Sequence, residues 1–349
     1  MSEKIGFGII GAGMIAELHA KSMQSLENAR LVGFYDNFLP SAQKRAAQFG
    51  CRAYGSFEEF LADPEIQAVT IATPSGLHGQ VAIPAARAGK HILCEKPLEI
   101  TLDKVDAIIK AAEDNHVLLS PVFQRRFTKP VQLVRDAMRK GRFGRMILAS
   151  TQMRWFRTAA YYSGSNWRGT WKMDGGGALM NQAIHVVDLL VHINGAPEEV
   201  FAFAGTLTHS IEVEDTLTAT VKFRNGSFGT IEVSTSCAPG FAMRMEFSGS
   251  EGTVAFEDEK ITRWEFANTA PEDDEISKTV VVHSTHSGGG SAPMNISENG
   301  HANQISDLAD AIIHHRPPTL DGHEGRRAIE LICGIYESVR TGKPFFFQH

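Results

Sequence analysis

The chain begins with the stretch KIGFGIIGAGMIA at residues 4–16, in which an apolar run meets two glycines and then a helical pattern. The apolar run predicts a β-strand at Ile5–Ile10. The pattern that follows predicts a helix at Ile15–Ser25, so Gly11 and Gly13 form the turn between strand and helix. This order is typical of the first unit of a dinucleotide-binding Rossmann domain.

A physical requirement explains why a small residue stands at each of three positions in this turn. Gly11 permits a tight bend, and Gly13 lets the backbone approach a pyrophosphate, whose negative charge the helix N-terminus stabilises. Ala16 keeps a small residue where helix and strand pack. We therefore predict that Gly11, Gly13, Met14 and Ile15 bind the cofactor. The alternative is a purely structural turn.

The rest of the first third alternates short apolar runs with amphipathic stretches. This alternation predicts βαβ units and a parallel, doubly wound sheet, and hence an α/β domain over residues 1–122. The further predicted strands are Leu31–Tyr35, Ala68–Ala72, His91–Cys94 and Val117–Ser120. The further predicted helices are Ser41–Phe49, Ser56–Leu61, Leu77–Ala88 and Leu102–Asp114.

Residues 123–349 show strands in sequence with helices grouped around them, which predicts an α+β domain with a mostly antiparallel sheet. The predicted strands are Met146–Met153, Val200–Thr206, Leu217–Phe223, Ser227–Ser234, Ala242–Ser248 and Gly252–Glu257. The predicted helices are Pro130–Lys140, Leu179–Ile193, Ala302–His314 and Glu324–Arg340. The Gly/Ser-rich stretch Ser287–Gly300 predicts a mobile loop.

Composition narrows the class of partner and the compartment. The 349 residues carry a formal net charge of −6 and no long basic run, which argues against nucleic acid or an anionic membrane as the main partner. No apolar run of bilayer-spanning length and no signal peptide are present, and the four cysteines have no paired spacing. We therefore expect a cytoplasmic protein with reduced cysteines. Without an HExxH pattern or a cysteine cluster, we expect no catalytic metal.

The second predicted strand ends at an acid that indicates which dinucleotide binds. Asp36 lies 23 residues beyond Gly13, where a carboxylate can accept hydrogen bonds from the adenosine ribose and would repel a 2′-phosphate. The next residue is Asn37 rather than an arginine, so no phosphate partner follows directly. NAD is favoured over NADP. The alternative is a solvated turn aspartate.

A lysine follows the strand His91–Cys94 within Glu95-Lys96-Pro97. In an open parallel sheet, ligands lie beyond the carboxyl ends of the strands, so we expect Lys96 to face the cofactor crevice. A cationic nicotinamide disfavours the ammonium form of a nearby lysine, which suits a role in proton transfer. An ordinary surface lysine is the alternative. The predicted cofactor site also includes Thr73, Pro74, His78 and Glu95.

The predicted helix Leu179–Ile193 is apolar except for one stripe. Asn181, His185, Asp188 and His192 are spaced i, i+4, i+7 and i+11, which places them along one side of the helix. Buried polar groups need partners, and a substrate hydroxyl with a proton relay would supply them. We predict functional roles for Asn181 and His185, with histidine accepting the alcohol proton. Asp188 or His192 is more simply a satisfied core residue.

The segment before the glycine turn at 175–177 is rich in arginine and aromatic residues. Aromatic faces suit the C–H face of a sugar, and arginines suit a carboxylate or phosphate. The alternative for these arginines is a structural or subunit contact. The predicted substrate-binding residues are Gln124, Arg154, Trp167, Arg168, Asn181 and His185, with His301 as a weaker candidate.

Several of these pieces, in this order, make the chain resemble the glucose–fructose oxidoreductase/inositol dehydrogenase/MocA (Gfo/Idh/MocA) family over its whole length. They are residues 11–16 (GAGMIA), 95–97 (EKP), 175–177 (GGG) with His185, 310–317, 324–328 and 336–344. The resemblance implies a Rossmann domain, a second domain with a large open sheet used for homodimers or homotetramers, and a catalytic lysine and histidine at Lys96 and His185. The family commonly has an aspartate where this chain has Asn181.

We therefore predict an NAD(P)-dependent oxidoreductase that transfers a hydride between nicotinamide and a ring carbon of a sugar, cyclitol, sugar acid or nucleotide sugar. Lys96, His185 and Asn181 are the predicted catalytic residues. One alternative is an NAD-dependent glycoside-cleaving enzyme of the same family. Another is a non-catalytic nicotinamide-binding sensor, which would be expected to lack the lysine or the polar helix stripe.

Overall fold

A computed structural model describes residues 4–164, 166–258, 260–279 and 298–348. The chain divides into two compact units. Unit 1 comprises Met1–Gln124 and Ser297–Arg326, and unit 2 comprises Arg125–Ile296 and Arg327–His349. The predicted division after residue 122 lies two residues before the end of the first segment of unit 1. Residues 297–326, which we assigned to the second domain, cluster with unit 1 instead.

Unit 1 contains a parallel sheet of six strands in the described residues, in the order β3-β2-β1-β4-β5-β6. Every residue of the first strand is buried, as expected when helices cover both faces of a parallel sheet. The doubly wound α/β prediction is confirmed. The strands are β1 (Ile5–Ile10), β2 (Ala29–Tyr35), β3 (Arg52–Tyr54), β4 (Ala68–Ile71), β5 (His91–Cys94) and β6 (Leu119–Pro121).

The helices of unit 1 bury small and branched apolar residues against this sheet. A late helix belongs to the same core, because Ile305, Leu308 and Ala309 pack in one cluster with Phe7 and Ala20. This packing explains why the segment groups with unit 1 although it is far away in sequence. The helices are α1 (Met14–Gln24), α2 (Leu39–Phe49), α3 (Phe57–Ala62), α4 (His78–Arg87), α5 (Leu102–Asp114) and α10 (Glu298–Ile313).

Unit 2 contains a mixed sheet of eight strands in the described residues, in the order β13-β12-β11-β7-β10-β9-β8-β14. Only the β7–β10 pair is parallel among these neighbours, so the mostly antiparallel prediction is confirmed. Its strands are β7 (Met146–Arg154), β8 (Pro197–Gly205), β9 (Thr216–Phe223), β10 (Phe228–Ser234), β11 (Arg244–Gly249), β12 (Gly252–Glu257), β13 (Lys260–Phe266) and β14 (Phe345–Phe346).

Burial alternates along these strands, with one face packed and the other exposing Leu148, Phe203 and Phe228. The helix α8 contacts β7 and is almost entirely buried. The helices of this unit are α6 (Lys129–Arg139), α7 (Ala159–Ser163), α8 (Ile184–Asn194) and α9 (Pro271–Thr279), while α11 (Gly322–Thr341) begins in unit 1 and continues into unit 2.

The structure differs from the predicted elements in three respects. The predicted helix Leu179–Ile193 is divided into a π-helical turn, Ala178–Gln182, and α8. The elements β3, β13, β14, α7 and α9 were not predicted. The predicted loop Ser287–Gly300 lies outside the described residues except for its last three positions, which belong to α10. No helix in the described ranges combines the length and apolarity needed to cross a bilayer.

Candidate functional site

The two glycines of the first turn are required for different reasons. Gly11 has φ +100°, and a Cβ there would lie 2.6 Å from the carbonyl oxygen of Ala72, so the protein itself requires glycine. Gly13 has φ −73°, and a Cβ there would meet no protein atom within 4 Å. Neither packing nor backbone conformation requires glycine at position 13. The open space at the start of α1 therefore fits a pyrophosphate that approaches the backbone.

Asp36 follows β2 and is tied to the same turn. Its Oδ2 accepts a hydrogen bond from the Ala12 N–H at 2.8 Å, and its Oδ1 accepts one from the Phe38 N–H at 2.9 Å. A carboxylate offers about four lone-pair sites, so acceptor capacity remains for ribose hydroxyls. Arg45, which sequence reasoning missed, donates to the carbonyl oxygens of Ala12 and Gly13 at 3.2 and 3.3 Å and braces the turn.

The turn after β4 carries a polar group that has no hydrogen-bond partner among the described residues. The Thr73 hydroxyl is buried and has no hydrogen-bond partner among the described residues. His78, which is 1% exposed, lies 2.8 Å from the Pro97 carbonyl oxygen and 3.0 Å from that of Thr73, so it joins the turns after β4 and β5. Burial lowers the pKa of His78. The unpartnered hydroxyl beside Pro74 fits a polar cofactor group, whereas His78 supports the turns from within.

Lys96 is half-buried and follows β5, but its neighbour Glu95 faces the interior. Glu95 Oε1 lies 2.8 Å from His19 Nε2, and Oε2 accepts the Lys96 backbone N–H at 3.1 Å. The Glu95 carboxylate therefore braces the turn that carries Lys96. Direct cofactor contact by Glu95 stays a prediction, while these contacts give its carboxylate a structural role.

Glu95 belongs to a buried cluster with His19, Thr70 and His301. His19 Nδ1 lies 2.7 Å from the Thr70 hydroxyl, and a neutral ring accepts there while it donates from Nε2 to Glu95. Burial lowers the pKa of His19, which favours this neutral form. Burial also opposes ionisation of Glu95, but the hydrogen bond with His19 and the nearby His301 ring outweigh it and hold its pKa well below the usual value.

Sequence reasoning missed His19, although the buried positions Ala16, His19, Ala20 and Met23 of α1 place it on the core face. His301 Nε2 lies 3.7 Å from Glu95, and its Nδ1 is buried without a hydrogen-bond partner in the described ranges. The ligand atoms of His19, Glu95 and His301 lie within 4.8 Å of one another. The expectation that no metal is used stays a prediction.

In unit 2, the second glycine turn depends on side chains that are distant in sequence. A Cβ at Gly177 would lie 1.9 Å from the Glu214 carbonyl oxygen. The Glu214 carboxylate accepts the backbone N–H groups of Gly177 and Leu179 at 3.1 and 2.9 Å and the Tyr336 hydroxyl at 2.9 Å. Burial raises the pKa of Glu214, against these hydrogen bonds. Together they hold the start of the π-helical turn that carries Asn181.

The polar stripe separates into two groups. Asn181 lies in the π-helical turn and His185 in the first turn of α8, and both are half-buried. Asp188 is 1% exposed and pairs with Arg126 through contacts of 2.9 and 2.6 Å. Asp188 thus has a buried ionic partner, which agrees with a structural role. His192 is half-buried one turn further along.

Asn181 is part of a side-chain network that the sequence did not indicate. Its Nδ2 contacts the carboxylate of Asp174, and its Oδ1 lies 2.5 Å from Gln182 Nε2. Gln182 Nε2 also donates to the Tyr161 hydroxyl at 2.9 Å, and Gln182 Oε1 accepts from the Arg157 guanidinium at 3.0 and 3.3 Å. Five side chains therefore form one continuous hydrogen-bonded chain.

The predicted substrate residues have different surroundings. The Arg168 guanidinium lies 4.5 Å above the Tyr161 ring and 5.4 Å from the Trp167 ring, and it is half-buried. Arg154 is exposed and pairs with Glu232 on β10 at 2.5 Å. Gln124, in unit 1, is 8% exposed, and its Oε1 is buried without a hydrogen-bond partner in the described part of the chain.

Comparison with known proteins identifies both units. The family described as "Oxidoreductase family, NAD-binding Rossmann fold" matches residues 5–123, and "GFO/IDH/MocA C-terminal domain" matches residues 131–255. An inositol 2-dehydrogenase from Rhizobium meliloti (strain 1021) is 30% identical over 270 residues, which cover 75% of this chain and 78% of that protein.

Two further relatives match nearly the whole chain. The crystal structure of the WlbA dehydrogenase from Bordetella pertussis, in complex with NADH and UDP-GlcNAcA, is 33% identical with a TM-score of 0.88, covering 99% of this chain and 100% of that one. A UDP-N-acetylglucosamine 3-dehydrogenase from Acidithiobacillus ferrooxidans is 27% identical, covering 96% of this chain and 97% of that protein.

Proposed function

Because the chain belongs to the Gfo/Idh/MocA family of NAD-binding oxidoreductases, we propose that it transfers a hydride between NAD and a ring carbon of a nucleotide sugar acid. The observation that carries this substrate class is the full-length likeness, at 33% identity, to an enzyme bound to NADH and UDP-GlcNAcA. The half-buried Arg168 beside Tyr161 and Trp167 supports it, since a guanidinium pairs with a carboxylate or phosphate while the rings pack on sugar.

The cofactor half of the proposal rests on unit 1. The space beside Gly13 admits a pyrophosphate, and the buried Thr73 hydroxyl needs a hydrogen-bond partner that the described residues do not supply. Asp36 retains acceptor capacity for the ribose hydroxyls and repels a 2′-phosphate. Met14, 57% exposed at the first position of α1, lies at the same helix end.

Oxidation of a ring alcohol removes a hydride from carbon and a proton from the hydroxyl. Bound NAD supplies the hydride acceptor, so the sugar leaves as a ketone. We assign the proton to His185, since an imidazole is a suitable base near pH 7, and we keep Lys96 as the second predicted proton-transfer residue. Asn181 orients the hydroxyl, because an amide donates and accepts hydrogen bonds but does not take up a proton.

A neutral cyclitol is the second candidate substrate, and the 30% identity to an inositol 2-dehydrogenase favours it. The two candidates differ in charge, because a cyclitol offers only hydroxyls to Arg168. The glycoside-cleaving and sensor alternatives have no specific observation in their favour.

The test is a panel of UDP-GlcNAcA, UDP-GlcNAc, myo-inositol and a neutral aldose, each with NAD and NADP, followed by the absorbance of reduced nicotinamide. We expect the highest kcat/KM for UDP-GlcNAcA with NAD. Arg168→Gln should lower this value about tenfold, as expected for loss of a charge-assisted hydrogen bond, and should affect UDP-GlcNAc less. Arg263→Gln, at an exposed arginine of β13 that pairs with Glu246 and Glu265 and has no predicted site role, is the matched control.

Lys96→Ala separates catalysis from binding in the same assay. We expect turnover to fall by about 10²–10⁴, as is typical when a proton-transfer group is removed, with NADH affinity largely retained. A preference for myo-inositol would replace the first candidate with the second. NADH binding without turnover of any sugar or cyclitol would overturn the enzymatic proposal.

A further inference from the structure

The side-chain network around Asn181 joins a cation to an anion. Arg157 stands at one end and Asp174 at the other, with Gln182 and Asn181 between them. We propose that Asp174 is a positioning residue, which fixes the orientation in which the Asn181 amide meets the reacting hydroxyl. This inference rests on the role that the proposed function gives to Asn181.

Donor and acceptor chemistry determines the direction of every amide in this network. An ionised carboxylate only accepts, so Asn181 must turn its NH₂ group toward Asp174. Its Oδ1 then lies on the other side, where it accepts from Gln182. A guanidinium only donates, so Gln182 must turn its Oε1 toward Arg157. The Asp174 carboxylate and the Arg157 guanidinium therefore impose mutually consistent orientations on the amides of Asn181 and Gln182.

The two ionic ends are held in place. Asp174 is 2% exposed, and its second carboxylate oxygen accepts the backbone N–H of Gly169 at 2.9 Å. Arg157 is 5% exposed, with its guanidinium 4.8 Å from the Trp155 ring and 5.5 Å from the Tyr161 ring. Neither end can turn away without breaking buried contacts, so the orientation of Asn181 is set before substrate arrives.

This arrangement determines which residue position 181 tolerates. An aspartate there would place two carboxylates in contact at a half-buried site, and like charges at that separation cannot both ionise freely. The charge is at position 174, and position 181 has to be neutral. Asn181 therefore orients a hydroxyl without taking its proton, which is left to His185 and Lys96.

The experiment is a reciprocal charge swap. Asn181→Asp should lower kcat/KM about tenfold or more at neutral pH. Its activity relative to the wild type should rise as pH falls, because the raised pKa of the carboxyl pair lets one member protonate. Adding Asp174→Asn should restore most of the loss and return the pH profile toward that of the wild type, because an amide again faces a carboxylate. Asp174→Asn alone should lower kcat/KM more than the double variant does, because its one amide oxygen cannot replace both carboxylate oxygens, one of which accepts from Asn181 and the other from the Gly169 N–H.

Thermal unfolding of the same variants tests the contact without any substrate. Asn181→Asp should lower Tm at neutral pH by about 3 °C or more, and the second substitution should recover it. Asn115→Asp is the matched control, because Asn115 donates to the Ala111 backbone carbonyl rather than to a carboxylate. Its effect should be independent of Asp174→Asn.

The outcomes distinguish a failure of the positioning role of Asp174 from a failure of the proposed function. If Tm shows no recovery in the double variant, Asp174 and Asn181 are not coupled and the positioning role is wrong. Recovery of Tm without recovery of kcat/KM or of the pH profile makes the contact purely structural, which also overturns the inference. If no substrate in the panel is turned over, the proposed function fails, and with it the catalytic role of Asn181, whatever the unfolding data show.

Discussion

Both units place a glycine turn before a helix, but the two turns are held in different ways. In unit 1, Gly13 precedes a regular α-helix, and the local requirement for glycine at Gly11 arises from the backbone of Ala72, directly after β4. In unit 2, the turn at Gly177 leads into a π-helical turn and is held by Glu214 and Tyr336. These partners lie 37 and 156 residues away from the groups they bind.

The difference separates a ligand requirement from a packing requirement. A side chain at Gly13 would enter open space, so glycine there leaves room for something other than protein. A side chain at Gly177 would collide with backbone, so glycine there lets two segments of the protein approach. Sequence alone presents both as small residues before a helix.

Gly177→Ala should have the largest effect, and it should act on folding. The new Cβ would lie 1.9 Å from the Glu214 carbonyl oxygen, which also accepts the Ala178 N–H at 2.9 Å and cannot move freely. We expect the free energy of unfolding to fall by about 3 kcal/mol, as in overpacked cores. Denaturant unfolding measures it, and a variant as stable as the wild type would contradict the packing requirement.

Gly13→Ala should weaken NADH binding and leave folding stability nearly unchanged, so it serves as the control for Gly177→Ala. Stability should stay within about 0.5 kcal/mol of the wild type, because the methyl group meets no protein atom. NADH affinity should fall about tenfold, or ~1.4 kcal/mol, because the methyl group occupies the space of the pyrophosphate. Titration of NADH fluorescence checks the affinity, and unchanged binding would mean that the turn is purely structural.

Asp36→Asn should give the smallest effect and sharpens the assignment of the first turn. Alanine at this position would also remove the acceptor for the Ala12 N–H, whereas asparagine keeps one carbonyl oxygen for it. We expect NAD affinity to fall about three- to tenfold and NADP affinity to hold or improve, because the charge that repels a 2′-phosphate is gone. Equal losses for both cofactors would rule out the ribose assignment.

Prediction from sequence was accurate where a local pattern determines the structure. Five of the six strands of the parallel sheet were located, because buried apolar runs between helical patterns mark them. The strands β3 and β14 were missed because they are only three and two residues long and lack a continuous apolar run. The seven-residue strand β13 was missed because its buried residues, Ile261 and Trp264, are three positions apart and break the alternation of a strand. The continuous helix over Leu179–Ile193 was wrong at its start, where Glu214 and Tyr336 hold a π-helical turn.

The residues of the candidate site also divide into those that a local sequence pattern identified and those that it did not. Gly11, Gly13, Asp36, Lys96 and His185 were identified from their position after a strand or on a helix. His19, Arg157, Asp174 and Glu214 were missed, because each takes its meaning from a partner distant in sequence.

The amino-acid sequence alone determined the fold class, the family and the location of the cofactor turn, because periodicity, turn chemistry and glycine placement act over a few residues. Tertiary structure alone decided that Glu95 turns inward to His19, that Asp188 is neutralised by Arg126, and that Asn181 is oriented by Asp174. Buried polar groups take whichever partner the packed chain brings within hydrogen-bonding distance, and no local pattern records that choice.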